Sequence, residues 1–281
     1  MEIIKNEHKL TPEEKWEQAT LANNFIFYKV MRNHQDACKQ LLEMLLGIKI
    51  ESMEMKQEET IALDYDSKGI RLDVFVKDAN RMFDVELQVA NTKELPERAR
   101  YYQGVMDVDT LKAGQKYKEL RDSHVIFICL EDIFKNGLPV NTFANICLED
   151  GKTKFGDRTY KHFFFAPLCA KMIEDEEIKA FFEFLISNQA SSSYTDELKD
   201  YVADAKQSTE NKMQFMTWER QRAYDLDAGR EEGIAIGAQQ KAVEDARSFY
   251  ANGASIELIS KSLNMTIEQV KEIVRDTAVS V

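Results

Sequence analysis

Apolar and polar residues alternate along two consecutive runs of the chain, which is the pattern of a half-buried β-strand. In residues 70–77 the even-numbered positions are apolar, and in residues 82–89 the odd-numbered positions from Phe83 onward are apolar. The segment 78–80 between them carries turn-forming residues. The two runs therefore predict a β-hairpin, preceded by a shorter strand over 60–65.

Helical spacing of apolar residues dominates the rest of the first 190 residues. A helix is predicted to begin within 11–17, where Pro12 is suited to a first turn, and another helical stretch is predicted over 34–46, ending at Gly47. Further along, the pattern predicts a helix over 97–111, a buried strand over 124–130, a loop-rich segment over 132–156, a last strand over 161–166 and an amphipathic helix over 176–186.

The composition changes after residue 187. Residues 187–195 contain three consecutive serines and no core pattern, which indicates a domain boundary. We therefore predict a first domain over 1–190, a charged helical linker over 191–228, and a C-terminal helix with a helical hairpin over 229–281.

Glycines recur every fourth residue at Gly229, Gly233 and Gly237, so this helix is either solvated or self-associating. The hairpin over 253–274 has a capping-box pattern at Thr266 and Gln269. Residues 253–281 contain three basic and four acidic side chains, which favours a structural or dimerising hairpin over a nucleic-acid reader. A homodimer through this region is a possible partner arrangement.

The composition limits the classes of protein to which this chain can belong. With 281 residues and 44% hydrophobic residues, the chain can form a substantial core. Four scattered cysteines without a C-x-x-C pair predict buried thiols and no structural zinc. No signal-peptide pattern or apolar run of about 20 residues is visible, so we expect a cytoplasmic protein without a membrane partner. The net charge of −12 argues against DNA binding by bulk electrostatics.

Three polar residues of the predicted hairpin are candidates for chemistry: Asp73, Glu86 and Gln88. Antiparallel pairing can bring Asp73 near Glu86, and Glu86 and Gln88 share a face. Two converging carboxylates are reconciled by a hard divalent cation such as Mg²⁺, whose bound water can attack a phosphodiester. The alternative is that these residues form the polar face that any alternating strand has.

Several motifs in order make residues 15–190 similar to a known bacterial family, the PD-(D/E)XK nuclease family transposases, also called recombination-promoting nucleases. The motifs lie in segments 69–74, 83–88, 95–103, 111–117 and 125–129. The resemblance implies a restriction-endonuclease-like α/β fold, a mixed β-sheet flanked by helices, followed by an all-α C-terminal region. It also implies cleavage of DNA with Mg²⁺, with Mn²⁺ as a possible substitute.

The resemblance also implies roles for single residues. Asp73 matches the first metal-binding aspartate and Glu86 the acidic residue of the (D/E)XK half-motif. Gln88 stands where the wider superfamily has lysine, and glutamine at this position is usual for this subgroup. Because glutamine supplies no charge, slow or conditional cleavage would be unsurprising. Glu43 matches a helix glutamate often found in the fold, or is a solvent-facing helix residue.

Four further residues are less clearly assigned. Arg98 and Tyr102 share a helix face and either contact a phosphate or pair with the carboxylates of the sheet. Gln103 matches a further polar motif of the family. Asp84 is expected to be an ordinary surface residue, with an outer-shell ligand as the alternative.

The first functional hypothesis is a Mg²⁺-dependent DNA endonuclease tied to recombination or transposition. The second is a nuclease-fold protein that binds DNA or protein without cleavage, motivated by Gln88 and the acidic charge. A third is an interaction scaffold that acts through the C-terminal helix alone.

Overall fold

The computed structural model describes residues 10–55, 60–61, 70–71, 74–89 and 93–275. Contacts divide the chain into two compact units, Met1–Phe215 and Met216–Val281. Within the described ranges, no helix is both long enough and apolar enough to cross a membrane.

A mixed β-sheet forms the centre of the first unit. The strands are β1 Glu54–Met55, β2 Thr60–Ile61, β3 Ile70–Arg71, β4 Val74–Lys77, β5 Arg81–Gln88, β6 Asp122–Cys129, β7 Val140–Phe143 and β8 Thr159–Phe165. Among the described residues the sheet has six strands in the order β1-β4-β5-β6-β8-β7, and β2 and β3 form a separate antiparallel pair. The β5, β6 and β8 strands run parallel, whereas β1, β4 and β7 extend the sheet in antiparallel fashion.

The β4–β5 hairpin confirms the predicted hairpin, but its first strand begins at Val74, because Ile70 and Arg71 of the predicted strand over 70–77 pair with β2 as β3. Val74 pairs with Val85 and Lys77 with Met82 in the antiparallel register. The backbone N–H of Asp78 donates to the carbonyl of Arg81 at 2.9 Å and closes the turn. The hairpin brings the β4 backbone alongside the first half of β5, while β6 lies along the whole of its other edge.

Helices cover both faces of the sheet, as expected for parallel strands. The helices of the first unit are α1 Pro12–Gln18, α2 Asn24–Asn33, α3 Gln35–Leu46, α4 Leu95–Thr110, α5 Ala166–Met172, α6 Glu176–Ser187, α7 Ser193–Gln207 and the start of α8 Thr209–Ala251. On one face, Leu95 and Ala99 of α4 pack in a core with Phe127 and Phe163. On the other face, Phe164 lies against Phe182 of α6. The predicted restriction-endonuclease-like α/β fold is confirmed.

Local signals explain the N-terminal helices. Thr11 and Glu14 form a reciprocal capping box at the start of α1. The α3 helix ends at Gly47, whose φ of 63° lies in the left-handed region that glycine adopts without strain. The predicted helix start and the predicted end of the second helical stretch are both confirmed.

Two elements depart from the sequence-based expectation. The segment 132–156 contains the four-residue edge strand β7, which is too short to show an alternating pattern. The α7 helix lies beyond the boundary expected at 187–195, yet it buries Tyr194 and Leu198 in the first unit. The Tyr194 hydroxyl donates to the Ala37 carbonyl at 2.9 Å, which fixes α7 against α3. The first unit therefore extends to Phe215, since its core needs this helix.

The second unit is helical, as expected. It contains most of α8, followed by α9 Ile256–Leu263 and α10 Ile267–Arg275, and its core includes Ala246, Ile259 and Val270. Gln269 accepts from the Thr266 backbone N–H at 2.8 Å and its own N–H donates to the Thr266 hydroxyl at 3.2 Å, which confirms the predicted capping box. Residues 220–241 of α8, which include the three spaced glycines, are exposed throughout.

Candidate functional site

The β5 strand carries three polar side chains, from its middle to its last residue, on the face that α4 covers. Asp84 is 0% and Glu86 is 4% exposed, while Gln88 is half-buried. The expectation that Asp84 is a surface residue is wrong, because α4 covers the polar face of this strand. Burial of two carboxylates two residues apart costs free energy, because both charges lose their hydration and repel each other. A cation bound between them would reduce this cost.

Arg98 of α4 holds this polar group together. Its Nη1 donates to Gln88 Oε1 at 2.9 Å, and its Nη2 approaches Glu86 Oε2 at 3.4 Å. The same Nη2 donates to the Tyr102 hydroxyl at 3.1 Å. Of the two alternatives left open for Arg98 and Tyr102, pairing with the carboxylates of the sheet is the contact present. The planar guanidinium suits this arrangement, since it offers several donors in one rigid fork.

Aromatic rings enclose the guanidinium. The Arg98 side chain lies over the rings of Tyr102 and Phe127, 5.3 and 5.6 Å from their centroids. Burial raises the pKa of Tyr102 to about 12, and the charge of Glu86 acts in the same direction, whereas Arg98 opposes the shift. Tyr102 therefore stays a neutral hydroxyl at any physiological pH.

The α4 sequence explains why Arg98 and Tyr102 point at the sheet. Pro96 lies in the first turn, where its missing N–H costs nothing. Leu95 and Ala99 are fully buried one turn apart and anchor the helix on the core. Arg98 and Tyr102 are also one turn apart, so they reach β5 together.

Comparison with known proteins identifies the family of this chain. Residues 23–227 match the family model described as PD-(D/E)XK nuclease family transposase, which covers more than half of the chain. The chain belongs to this family. No curated protein and no solved structure matched it. Membership in the PD-(D/E)XK transposase family supports a nuclease- or transposase-related role, and nucleases of this type generally use divalent metal ions.

The donor atoms of the site fit a hard divalent cation. The β5 strand offers carboxylate oxygens from Asp84 and Glu86 and an amide oxygen from Gln88, which are ligand types that Mg²⁺ prefers. Within the described residues, no group of three or more carboxylate, histidine or cysteine side chains could hold a metal. The predicted ligand Asp73 lies outside the described residues. Of the two residues predicted to hold the metal, only Glu86 lies within the described residues.

Two other predicted site residues make contacts elsewhere. Glu43 is half-buried on α3, and its Oε1 accepts from the Ile50 backbone N–H at 2.7 Å, which ties down the segment after the helix. Gln103 is buried, donates to the Ser123 carbonyl at 3.2 Å, and accepts a hydrogen bond from Lys161. Gln103 thus belongs to a neighbouring group of polar residues rather than to the contacts of Arg98.

Sequence reasoning missed that neighbouring group. Lys161, Asp107 and Asp157 interact electrostatically beside Gln103. Their residue types gave no pattern, because they come from α4, from β8 and from the loop before β8. One signal was available: Lys161 sits in a strand that continues into three consecutive phenylalanines, so its charge enters a largely apolar surrounding.

Proposed function

We propose that this protein is a Mg²⁺-dependent DNA endonuclease associated with recombination or transposition. One observation carries the proposal: the nearly fully buried Glu86 carboxylate lies in the C-terminal half of β5, beside Gln88, in a member of a nuclease family. A buried carboxylate is typical of a functional site, because an apolar side chain would fill the same space in a core without the cost of burying a charge.

Glu86 and Asp73 would hold the cation, with Mn²⁺ able to replace Mg²⁺. Asp73 directly precedes Val74, and Val74 is the pairing partner of Val85, the neighbour of Glu86. When bound, the cation supplies Lewis-acid polarisation of the phosphate and a bound water of lowered pKa.

The surrounding side chains orient these groups. Arg98 fixes the Gln88 amide through Oε1, which directs the amide N–H₂ away from the guanidinium. Gln88 is then in a position to orient the attacking water. Arg98 is 31% exposed, so its guanidinium remains accessible to a DNA phosphate while it holds Glu86. Glu43 would assist from α3, where its Oε1 accepts a hydrogen bond from the Ile50 backbone N–H.

Plasmid nicking tests this function. We expect the purified protein to nick supercoiled DNA with Mg²⁺ or Mn²⁺ and not with EDTA. Glu86→Ala should abolish nicking, while Glu174→Ala, an exposed glutamate on the loop before α6, should leave it unchanged. Nicking that survives Glu86→Ala would overturn the assignment of Glu86.

A second candidate is a nuclease-fold module that binds DNA or protein without cutting. The specific observation in its favour is the Arg98 guanidinium, whose positive charge at Glu86 opposes entry of a cation. The net charge of −12 agrees with weak DNA contact. This candidate predicts binding of equal strength with Mg²⁺ and with EDTA, and no nicking with either.

We further propose that the C-terminal region forms a homodimer. Exposed apolar side chains, Leu226, Ile234 and Ile236, lie on the same segment of α8 as the glycines at 229, 233 and 237. Two protomers would supply one active site for each DNA strand. Sedimentation equilibrium of the full chain should give a dimer, and Ile234→Glu should shift it to a monomer.

A further inference from the structure

A cavity of about 630 Å³ opens on the same face of the sheet as Glu86, between α4 and the β7–β8 edge. Its size is within the range of pockets that hold small organic molecules. Gln103, Gly104 and Asp107 of α4 line one side, and Phe143, Lys161 and Phe163 line the other. We call it the Phe143 cavity.

One side of the Phe143 cavity is aromatic. Phe134 packs edge-on against Phe143 and Phe163, with ring centroids 5.1 Å apart in each case. Phe143 remains 45% exposed although it belongs to this ring cluster. An exposed ring at the rim of a cavity offers a stacking surface for another flat ring.

The polar part of the lining offers hydrogen-bonding groups of both kinds and no excess of charge. Asp107 and Asp157 face the cation of Lys161 and the guanidinium of Arg100 around the cavity. Burial raises the pKa of Asp107, and the nearby Asp157 adds to the shift, while burial lowers the pKa of Lys161. Because the two carboxylates balance the two cations, the lining has no net positive charge to attract a phosphate, whereas a neutral ring with donors and acceptors on its edge matches it.

The Phe143 cavity lies close to the candidate catalytic strand. Glu86 pairs with Phe127 in β6, and Phe127 pairs with Phe163 in β8. Neighbouring strands are about 4.8 Å apart, so Phe163 lies roughly 10 Å from Glu86 across the sheet. A DNA strand with a phosphate at Glu86 can therefore bring a base near this position to the cavity.

We propose that the Phe143 cavity receives one unpaired base of the DNA substrate, which stacks on Phe143 and is contacted along its edge by Asp107 and Lys161. The inference rests on the proposed function, since it takes DNA as the substrate. A base in this position must leave the helical stack, so bulged or mismatched sites are bound in preference to fully paired DNA.

Gly104 provides a way to close the cavity without disturbing the fold. A Cβ at Gly104 would meet no atom within 4 Å, and the residue lies in a helix where a side chain is favourable. Gly104→Met fills the cavity with a flexible side chain. Phe143→Leu removes the ring while keeping an apolar residue, and Phe143→Tyr retains the ring as its matched control.

The test compares a fully paired duplex with a duplex that carries one bulged 2-aminopurine. Binding of each duplex to the full-length protein is measured by fluorescence anisotropy in EDTA, and nicking of each is measured in Mn²⁺. We expect wild type to bind the bulged duplex about tenfold more tightly, as stacking of one base on an aromatic ring implies. Gly104→Met and Phe143→Leu should bring the ratio to near one without weakening binding of the paired duplex, and Phe143→Tyr should preserve it.

The outcomes separate this inference from the proposed function. Equal affinity of wild type for both duplexes, or a preference that survives Gly104→Met, overturns the base assignment even if metal-dependent nicking is present. Absence of both DNA binding and nicking overturns both proposals. Micromolar binding of free 2-aminopurine deoxyriboside that Gly104→Met removes, without any preference for the bulged duplex, would identify a free-nucleotide site and overturn the assignment to DNA.

Discussion

Removing Arg98 should destabilise the protein in the absence of metal, because Arg98→Met leaves the Glu86 carboxylate buried without its cation. Deleting one partner of a fully buried ion pair costs about 3–5 kcal/mol. The Arg98 side chain is 31% exposed and its contact with Glu86 is long, 3.4 Å, so water replaces part of the interaction. We therefore expect a loss of about 2 kcal/mol, which discounts the buried-pair value for this exposure.

Thermal unfolding in EDTA measures this loss. For a unit of this size, about 2 kcal/mol corresponds to a decrease in Tm of about 4–8 °C. Arg100→Met is the matched control, since Arg100 is an exposed arginine of the same helix, and its Tm should stay close to that of wild type.

Mg²⁺ should restore part of the stability that Arg98→Met loses. A divalent cation at tenfold over its Kd stabilises the folded state by about 1.4 kcal/mol, and the loss of the Arg98 charge strengthens cation binding at Glu86. The deficit of Arg98→Met should therefore shrink in saturating Mg²⁺. In Glu86→Gln, Arg98→Met should cost less than in wild type, since the buried charge is gone. A wild-type Tm for Arg98→Met, or full additivity with Glu86→Gln, would refute the reasoning.

Three further predictions concern other parts of the first unit. Gln88→Met removes the acceptor that Arg98 Nη1 uses and should cost about 1–2 kcal/mol in urea unfolding, with a smaller effect in an Arg98→Met background. Burial lowers the pKa of His124 and of His162 to about 4, whereas a histidine of the unfolded chain titrates at about 6.5. The unfolded chain therefore binds protons before the folded protein does as the pH falls, and stability should decrease between pH 6.5 and 4, by about 2 kcal/mol per histidine at pH 5. His162→Phe should make the free energy of unfolding depend less on pH over this range. Leu198→Ala should cost about 2–5 kcal/mol because Leu198 is fully buried, and Leu148→Ala, 88% exposed, should change stability by less than about 0.5 kcal/mol.

The local pattern of the sequence predicts the elements that build the candidate site. Alternation and the short turn over 78–80 are sufficient for the β4–β5 hairpin, because a period of two fixes the buried face and the turn fixes the register. The same pattern misplaces Asp84, since alternation identifies a polar face without showing whether solvent or a helix covers it. In this fold α4 covers it, and Asp84 is fully buried.

Contacts between distant segments could not be predicted in this way. The sequence left Arg98 with two roles, contact with a phosphate or pairing with the carboxylates of the sheet, and its hydrogen bond to Glu86 depends on the packing of α4 on β5, which no local pattern specifies. The approach of Lys161 to Gln103 depends on the position of β8 beyond β6, which no local pattern specifies. The burial of Tyr194 similarly depends on α3, more than 150 residues earlier in the chain.

Single-turnover nicking of supercoiled DNA, measured over a Mg²⁺ titration for wild type, Glu86→Gln and Glu174→Gln, tests the central claim most directly. We expect wild type and Glu174→Gln to show the same saturable dependence on Mg²⁺, and Glu86→Gln to be slower by at least about 100-fold, since a metal-bound carboxylate contributes several kcal/mol. Equal rates for Glu86→Gln and Glu174→Gln, or nicking that persists in EDTA, would contradict a metal-dependent nuclease centred on Glu86.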